Sequence, residues 1–170
     1  MANRQIVILR HGKAEQGKGI DDFDRLLTTR GEADVALIGG WLRDNARLPD
    51  SILSSPAARA ARTAELVAAA WGVEPDIIRY DRRMYLPSLD DLFAVLAETP
   101  AEIGCLMAVG HNPGFEMLLE SLVGPDLLRD HGGAQMATAS AAVIDLTIGW
   151  DAIAIGMGQL AAFVRPKELR

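Results

Sequence analysis

The chain is short of cysteine, histidine, aromatic side chains and positive charge: one Cys, three His, 5% aromatics, and 17 Lys and Arg against 23 Asp and Glu. The lone Cys105 has no intrachain partner, which excludes a disulfide framework, and its apolar neighbours suggest that it packs in the core. A formal net charge of −6 argues against a general nucleic-acid or anionic-membrane binder. Any anion site must then be a local cluster of basic residues on an acidic surface. No apolar stretch is long enough to span a bilayer, and no signal-peptide core follows Met1, so a soluble, cytoplasmic protein is expected. What remains is an ordinary globular composition, 49% hydrophobic and 24% charged. At 170 residues, one domain over 1–170 can bury a sizeable core without disulfides or metals.

Apolar runs alternate with segments of helical period. Ile6-Val7-Ile8-Leu9, Ser51-Ile52-Leu53, residues 76–80 and residues 103–109 read as short strands. Residues 33–45 and 57–71 read as helices, the second stopping before Gly72. Leu89, Leu92, Phe93 and Leu96 fall at helical spacing, as do Phe115, Leu118, Leu119 and Leu122. Residues 141–148 and 152–157 read as a hairpin turning at Gly149-Trp150. This alternation predicts a three-layer α/β/α fold, with a central mostly parallel sheet and an antiparallel C-terminal strand pair. The longest irregular segment, 124–137, is too short to separate two domains.

The chemistry concentrates at the ends of those strands. Arg10-His11-Gly12 follows the first one, where ligands bind in open α/β sheets. A guanidinium can clamp phosphate oxygens, a neutral imidazole can attack phosphorus, and a glycine can let a ligand approach. Gly110-His111-Asn112-Pro113-Gly114 sets a second histidine after another strand, with Asn112 and Pro113 suited to start a helix. In Ser54-Ser55-Pro56-Ala57-Ala58-Arg59-Ala60-Ala61-Arg62-Thr63, Ser55 is the expected helix cap. Arg59 lies one turn in and can reach the strand ends, whereas Arg62 reads as a solvated face. The segment Asp21-Asp22-Phe23-Asp24-Arg25-Leu26-Leu27-Thr28-Thr29-Arg30-Gly31-Glu32 contains capping-box spacing between Thr29 and Glu32. The loop before it either walls a pocket or is purely structural. His131 reads as a loop residue.

Taken in order, Arg10-His11-Gly12, Leu27-Thr28-Thr29-Arg30-Gly31, Ser55-Pro56-x-x-Arg59-Ala60-x-x-Thr63 and Gly110-His111-Asn112-Pro113-Gly114 resemble the histidine phosphatase (phosphoglycerate-mutase-like) superfamily. The short chain, the Arg-His-Gly-Lys-Ala-Glu opening and the Asp-Phe-Asp-Arg segment resemble its SixA-type phosphohistidine phosphatase branch. The resemblance covers nearly the whole chain. It implies that His11 is a transiently phosphorylated nucleophile and that Arg10, Arg59 and His111 complete a phosphate pocket. Gly12, Lys13, Arg25 and Asn112 are candidates for its rim. No cofactor and no metal are implied, since the arginines would repel an ion. A neutral His11 would attack while a protonated His111 donates to phosphate.

Larger members of that superfamily place a proton-donating glutamate where this chain has Leu86. A phosphoester needs such an acid for its alkoxide, whereas a phosphoramidate can release neutral imidazole. Asp81, Asp90 and Asp91 are the nearby carboxylates, and turn or helix-start positions are the simpler reading for them. Only 24 residues lie between Leu86 and His111, which leaves little chain for a lid. The expected partner is thus a phosphohistidine-bearing protein, with phosphate ion as product and neither nucleic acid nor membrane bound. The alternatives are a small-molecule phosphomonoesterase or mutase of the same superfamily, and a non-catalytic phosphate-binding adaptor.

Overall fold

Ile6, Val7, Ile8 and Leu9 are fully buried within strand β1 (Arg4–Arg10). Successive side chains of a strand point to opposite faces. Ile6 and Ile8 accordingly enter one hydrophobic core, and Val7 and Leu9 enter the other. A strand covered on both faces has no polar face to maintain, so an unbroken aliphatic run encodes it.

The computed structural model describes residues 3–170. Five further strands join β1: β2 (Ser51–Ser54), β3 (Ile78–Tyr80), β4 (Cys105–Gly110), β5 (Ala141–Leu146) and β6 (Gly158–Val164). The sheet order is β3-β2-β4-β1-β5-β6. The β1–β4, β2–β4 and β2–β3 pairings are parallel, and the β1–β5 and β5–β6 pairings are antiparallel. Helices α1 (Thr29–Asn45) and α2 (Ala58–Trp71) cover one face through Val35, Ile38, Leu42, Ala64 and Val67. Helices α3 (Leu89–Ala97) and α4 (Gly114–Val123) cover the other through Leu92, Leu96, Phe115, Leu118 and Leu122. The three-layer α/β/α fold with an antiparallel strand pair at its end is therefore present. Cys105 is buried, and burial pushes its thiol pKa up to about 12. No helix among the described residues is long and apolar enough to cross a membrane.

Several boundaries differ from the sequence reading. The expected strand at 152–157 is absent, and β6 begins at Gly158. The cause is Trp150, which is 1% exposed and donates its Nε1–H to Ile103 O at 2.7 Å. Drawing that ring into the core turns the chain through a 3-10 turn, Trp150–Ala152, before it can return as a strand. Thr28 rather than Thr29 caps α1, its hydroxyl accepting from Gly31 N. Helix α2 starts after Ala57, so Ser55 lies outside it. Helix α4 starts after Pro113, and Asn112 is not its cap. Inside the expected irregular stretch, α5 (Pro125–Leu128) makes a single turn, followed by the 3-10 turn Arg129–His131. His131 stacks edge-on against Phe163 of β6, two strands across the sheet from β1.

Phe115 is fully buried where α4 meets the sheet, and a Cβ at Gly110 would lie 2.7 Å from its ring. Phe115→Ala should lower stability by about 3–5 kcal/mol, the usual cost of emptying an aromatic core site. Urea denaturation measures it, with the midpoint shifting and the slope unchanged.

Candidate active site

Arg10 pairs with Gly110 at the carboxyl ends of β1 and β4, so the next residues, His11 and His111, emerge side by side. Their ring centroids are 5.1 Å apart. Ser54 pairs with Val109 on β4's other flank, and Ser55 N continues the ladder to Val109 O at 3.0 Å. That pairing brings the start of α2, and with it Arg59, to the same edge. On the far side of β1, Ala139 N bonds His11 O at 2.9 Å, which holds the segment entering β5 against the nucleophile candidate. Together these loops enclose an open cavity of about 400 Å³.

His11 is 7% exposed, with Nδ1 2.7 Å from Gly12 O. A carbonyl only accepts, so Nδ1 carries the proton and Nε2 the lone pair. Arg59 Nε–H points at that lone pair from 3.3 Å. Burial, more than the nearby Arg59, Arg10 and Arg25, pushes the His11 pKa down to about 4. The imidazole is therefore neutral at pH 7 with its nucleophilic nitrogen fixed in direction.

His111 is 2% exposed, and its Nε2 lies 2.7 Å from Ser55 Oγ. That buried hydroxyl accepts from Ala57 N and has no other acceptor for its own proton among the described residues, so the proton goes to His111. The ring proton of His111 then sits on Nδ1, which is buried with no hydrogen-bond partner among the described residues. Burial, followed by His11 and Arg59, lowers the pKa to about 3. His111 is thus neutral in the free protein, where a second cation this close to two arginines is too costly to desolvate; the imidazolium expected from the sequence is a donor to bound phosphate.

Arg10 donates from Nη1 to Met136 O at 2.7 Å, while its Nε is buried without a partner among the described residues. Burial lowers its pKa, with Glu116 opposing that shift. Glu116 also accepts from Asn112 Nδ2 at 2.8 Å and from Met136 N at 2.8 Å. Asn112 donates in turn to Met136 O at 3.0 Å. This network fixes the carbonyl that aims Arg10. Arg10 Nε and His111 Nδ1 are thus orphaned donors on two residues that line the cavity with His11, and buried donors without partners among the described residues mark a place where a ligand supplies the acceptors.

A sequence profile of the histidine phosphatase superfamily (branch 1) matches residues 6–82. SixA of Agrobacterium tumefaciens, named as a phosphohistidine phosphatase, superposes with a TM-score of 0.82 at 32% identity. The match covers 96% of this chain and 98% of that one. The chain belongs to the histidine phosphatase superfamily, in its SixA-type branch, and is a phosphatase. SixA of Nakamurella multipartitia superposes with a TM-score of 0.80 at 27% identity, over 98% of each chain. An uncharacterized protein of Mycobacterium tuberculosis is 29% identical over 163 residues, 94% of this chain and all of that relative.

On this histidine phosphatase scaffold, Arg10, His11, Arg59 and His111 share the cavity with Lys13, Arg25 and Asn112. Gly12 is not at the rim. Its amide donates to Thr63 Oγ1 at 3.1 Å, and a Cβ there would meet Val35 at 2.7 Å and Gly31 O at 2.8 Å. The glycine lets α1 press on the loop and has no role in ligand approach. The Leu27–Gly31 motif holds the same loop: Thr28 N and Oγ1 both donate to Lys13 O, at 2.8 and 3.2 Å. Arg62 pairs with Glu32 at 2.9 Å on the surface.

None of Asp81, Asp90 and Asp91 lines the cavity. Asp81 caps the 3-10 turn Arg82–Met84 and pairs with Arg83, and Asp91 closes a capping box with Ser88. The carboxylate that does reach the cavity is Asp22, which the sequence did not single out. Its Oδ2 accepts from Arg59 Nη2 at 2.9 Å and from Tyr85 OH at 2.6 Å. Its Oδ1 accepts from Arg25 Nε and Nη2 at 3.0 and 2.8 Å. Tyr85, followed by the two arginines, holds the Asp22 carboxyl well below the usual carboxylate range.

Folding strips protons from two imidazoles whose ordinary pKa is about 6.5. Their folded values, about 4 for His11 and about 3 for His111, lie lower. Between these limits the unfolded chain binds more protons, so stability is full above about pH 6.5 and falls as pH drops through the window. Thermal melting from pH 7 to pH 4 should show that decline, and His111→Asn should flatten it.

Proposed function

We propose that this phosphatase works without a metal through a covalent phospho-His11 intermediate, and that its substrate is phosphohistidine on a protein. The observation that carries the mechanism is the fixed Nε2 lone pair of a neutral, buried His11 in a cavity that it shares with Arg10 and His111, whose Nε and Nδ1 have no partner among the described residues. Phosphoryl transfer spreads charge over three equatorial oxygens, so donors aimed at that position supply the stabilisation. His11 Nε2 attacks phosphorus, and Arg10, Arg59 and His111 Nδ1–H take the oxygens. Water then cleaves the phosphohistidine on the enzyme and releases phosphate ion. Among the described residues no group of three or more His, Cys, Asp or Glu side chains is arranged to hold a metal.

The substrate half rests on the leaving-group side. Asp22 is ionised and Leu86 occupies the cavity wall, so no carboxylic acid is poised to protonate an alkoxide. A phosphoramidate does not need one. SixA relatives named as phosphohistidine phosphatases agree with that reading. It assigns the protein to cytoplasmic signal transduction by removal of phosphoryl groups from histidine.

Rapid quenching with ³²P-labelled phosphohistidine protein should trap label that is acid-labile and base-stable. His11→Ala should lose the label and at least about a thousandfold in kcat/KM; unchanged turnover in that variant defeats the mechanism. Arg59→Ala should cost roughly 10²–10³ in kcat, as expected for one donor to the transferred group. Stopped-flow phosphate release reads that loss.

A further inference from the structure

We propose that Asp22, Tyr85 and Leu86 form a leaving-group subsite that accepts the protonated imidazole ring of the substrate. The proposal rests on the phosphohistidine reading above and deepens it. The Asp22 carboxylate is one guanidinium away from the attacking atom: Arg59 touches His11 Nε2 through Nε and Asp22 Oδ2 through Nη2. Arg59 is 4% exposed at its side chain and Arg25 is 25% exposed. The buried pair anchors the carboxylate, and the exposed Arg25 contact is weak enough to yield to a substrate N–H.

The neighbouring groups give the subsite its shape. Tyr85 stands edge-on to Phe23 at 5.1 Å and to His111 at 5.5 Å, which fixes its hydroxyl on Asp22. Leu86 lines the cavity beside it, 62% exposed and at φ 50°. The left-handed region is unfavourable for a γ-branched residue, and such a conformation persists where surroundings demand it. An anion next to an exposed apolar side chain suits a flat, cationic ring with an N–H at its edge.

The step balances without an added acid. The His11 Nε2–P bond forms as the substrate's P–N bond breaks, and the bonding pair stays on the substrate nitrogen. The other ring nitrogen already carries a proton that Asp22 holds, so the ring departs neutral. The same carboxylate repels a departing alkoxide or phenolate, which bears the charge itself. Asp22 thereby selects the class of leaving group.

The test compares phosphohistidine with 4-nitrophenyl phosphate, whose leaving group needs no proton. Asp22→Asn should lower the ratio of the two kcat/KM values at least tenfold. Leu86→Ala should lower it in the same direction by a smaller factor, through KM for phosphohistidine. A parallel loss on both substrates in Asp22→Asn, with the ratio unchanged, overturns the subsite and leaves Asp22 as a support for Arg59 alone. A wild-type enzyme that cleaves 4-nitrophenyl phosphate but not phosphohistidine overturns the substrate reading as well.

Discussion

Pairing of Arg10 with Gly110 fixes the positions of the two histidines and of Arg10, on which the rest of the site is built. Each of the surrounding loops is pinned to this corner of the sheet by a backbone hydrogen bond. His11 N bonds Gly110 O at 3.0 Å, Ser55 N bonds Val109 O at 3.0 Å, and Ala139 N bonds His11 O at 2.9 Å. A one-residue slip between β1 and β4 would exchange the two faces of a strand. It would drive Val7 and Leu9 into the core that holds Ile6 and Ile8, and separate the two histidines. The two hydrophobic cores are therefore what holds the nucleophile candidate and its neighbours in place. The contacts among Arg10, Arg59 and the two histidines could not do that, since the arginines repel one another and disfavour protonation of either imidazole.

That repulsion is itself informative. Arg10, Arg59 and Arg25 all act to lower the His11 pKa. A desolvated cluster of cations around a base is unstable unless an anion joins it. In the free protein Asp22 supplies that anion for Arg59 and Arg25, and Glu116 supplies it for Arg10. The two donors left without partners, Arg10 Nε and His111 Nδ1, define what the resident carboxylates do not satisfy. A phosphoryl group fits that remainder, because it brings several acceptor oxygens to one point.

Much of the fold was legible because its signals are local and periodic. The aliphatic run 6–9, the helical spacings 89–96 and 115–122, and the motifs after the strands each carry their meaning within a few residues. His11, His111, Arg10 and Arg59 were legible for the same reason, as residues at strand ends or one turn into a helix. The C-terminal hairpin was misread because the burial of Trp150 against Ile103 O depends on a partner 47 residues away. Gly12 was misread as a ligand approach because nothing in the triplet reveals that α1 lies 2.7 Å from its missing Cβ. Asp22 and Tyr85 are 63 residues apart, and three aspartates crowd 21–24, so spacing could not say which one turns inward. Glu116 left a usable trace, since it stands one helical turn after Asn112 and the two bond directly.

The division of labour follows from where each group is anchored. His11, His111 and Arg10 are set by sheet register, and changing their relation requires refolding the core. Asp22, Arg25, Tyr85 and Leu86 lie on the loops 11–28 and 81–88, which meet each other through side chains: the Tyr85–Asp22 hydrogen bond, the Phe23–Tyr85 edge contact and Arg82 over Phe23. Such contacts can change without moving the sheet. In the proposed mechanism attack on phosphorus is common to every substrate, whereas the group that leaves differs, so the fixed part of the site matches the constant half of that reaction and the loop-borne part matches the variable half. Selection of leaving group by a carboxylate on a loop, rather than by an acid built into the sheet edge, is the arrangement that this partition favours.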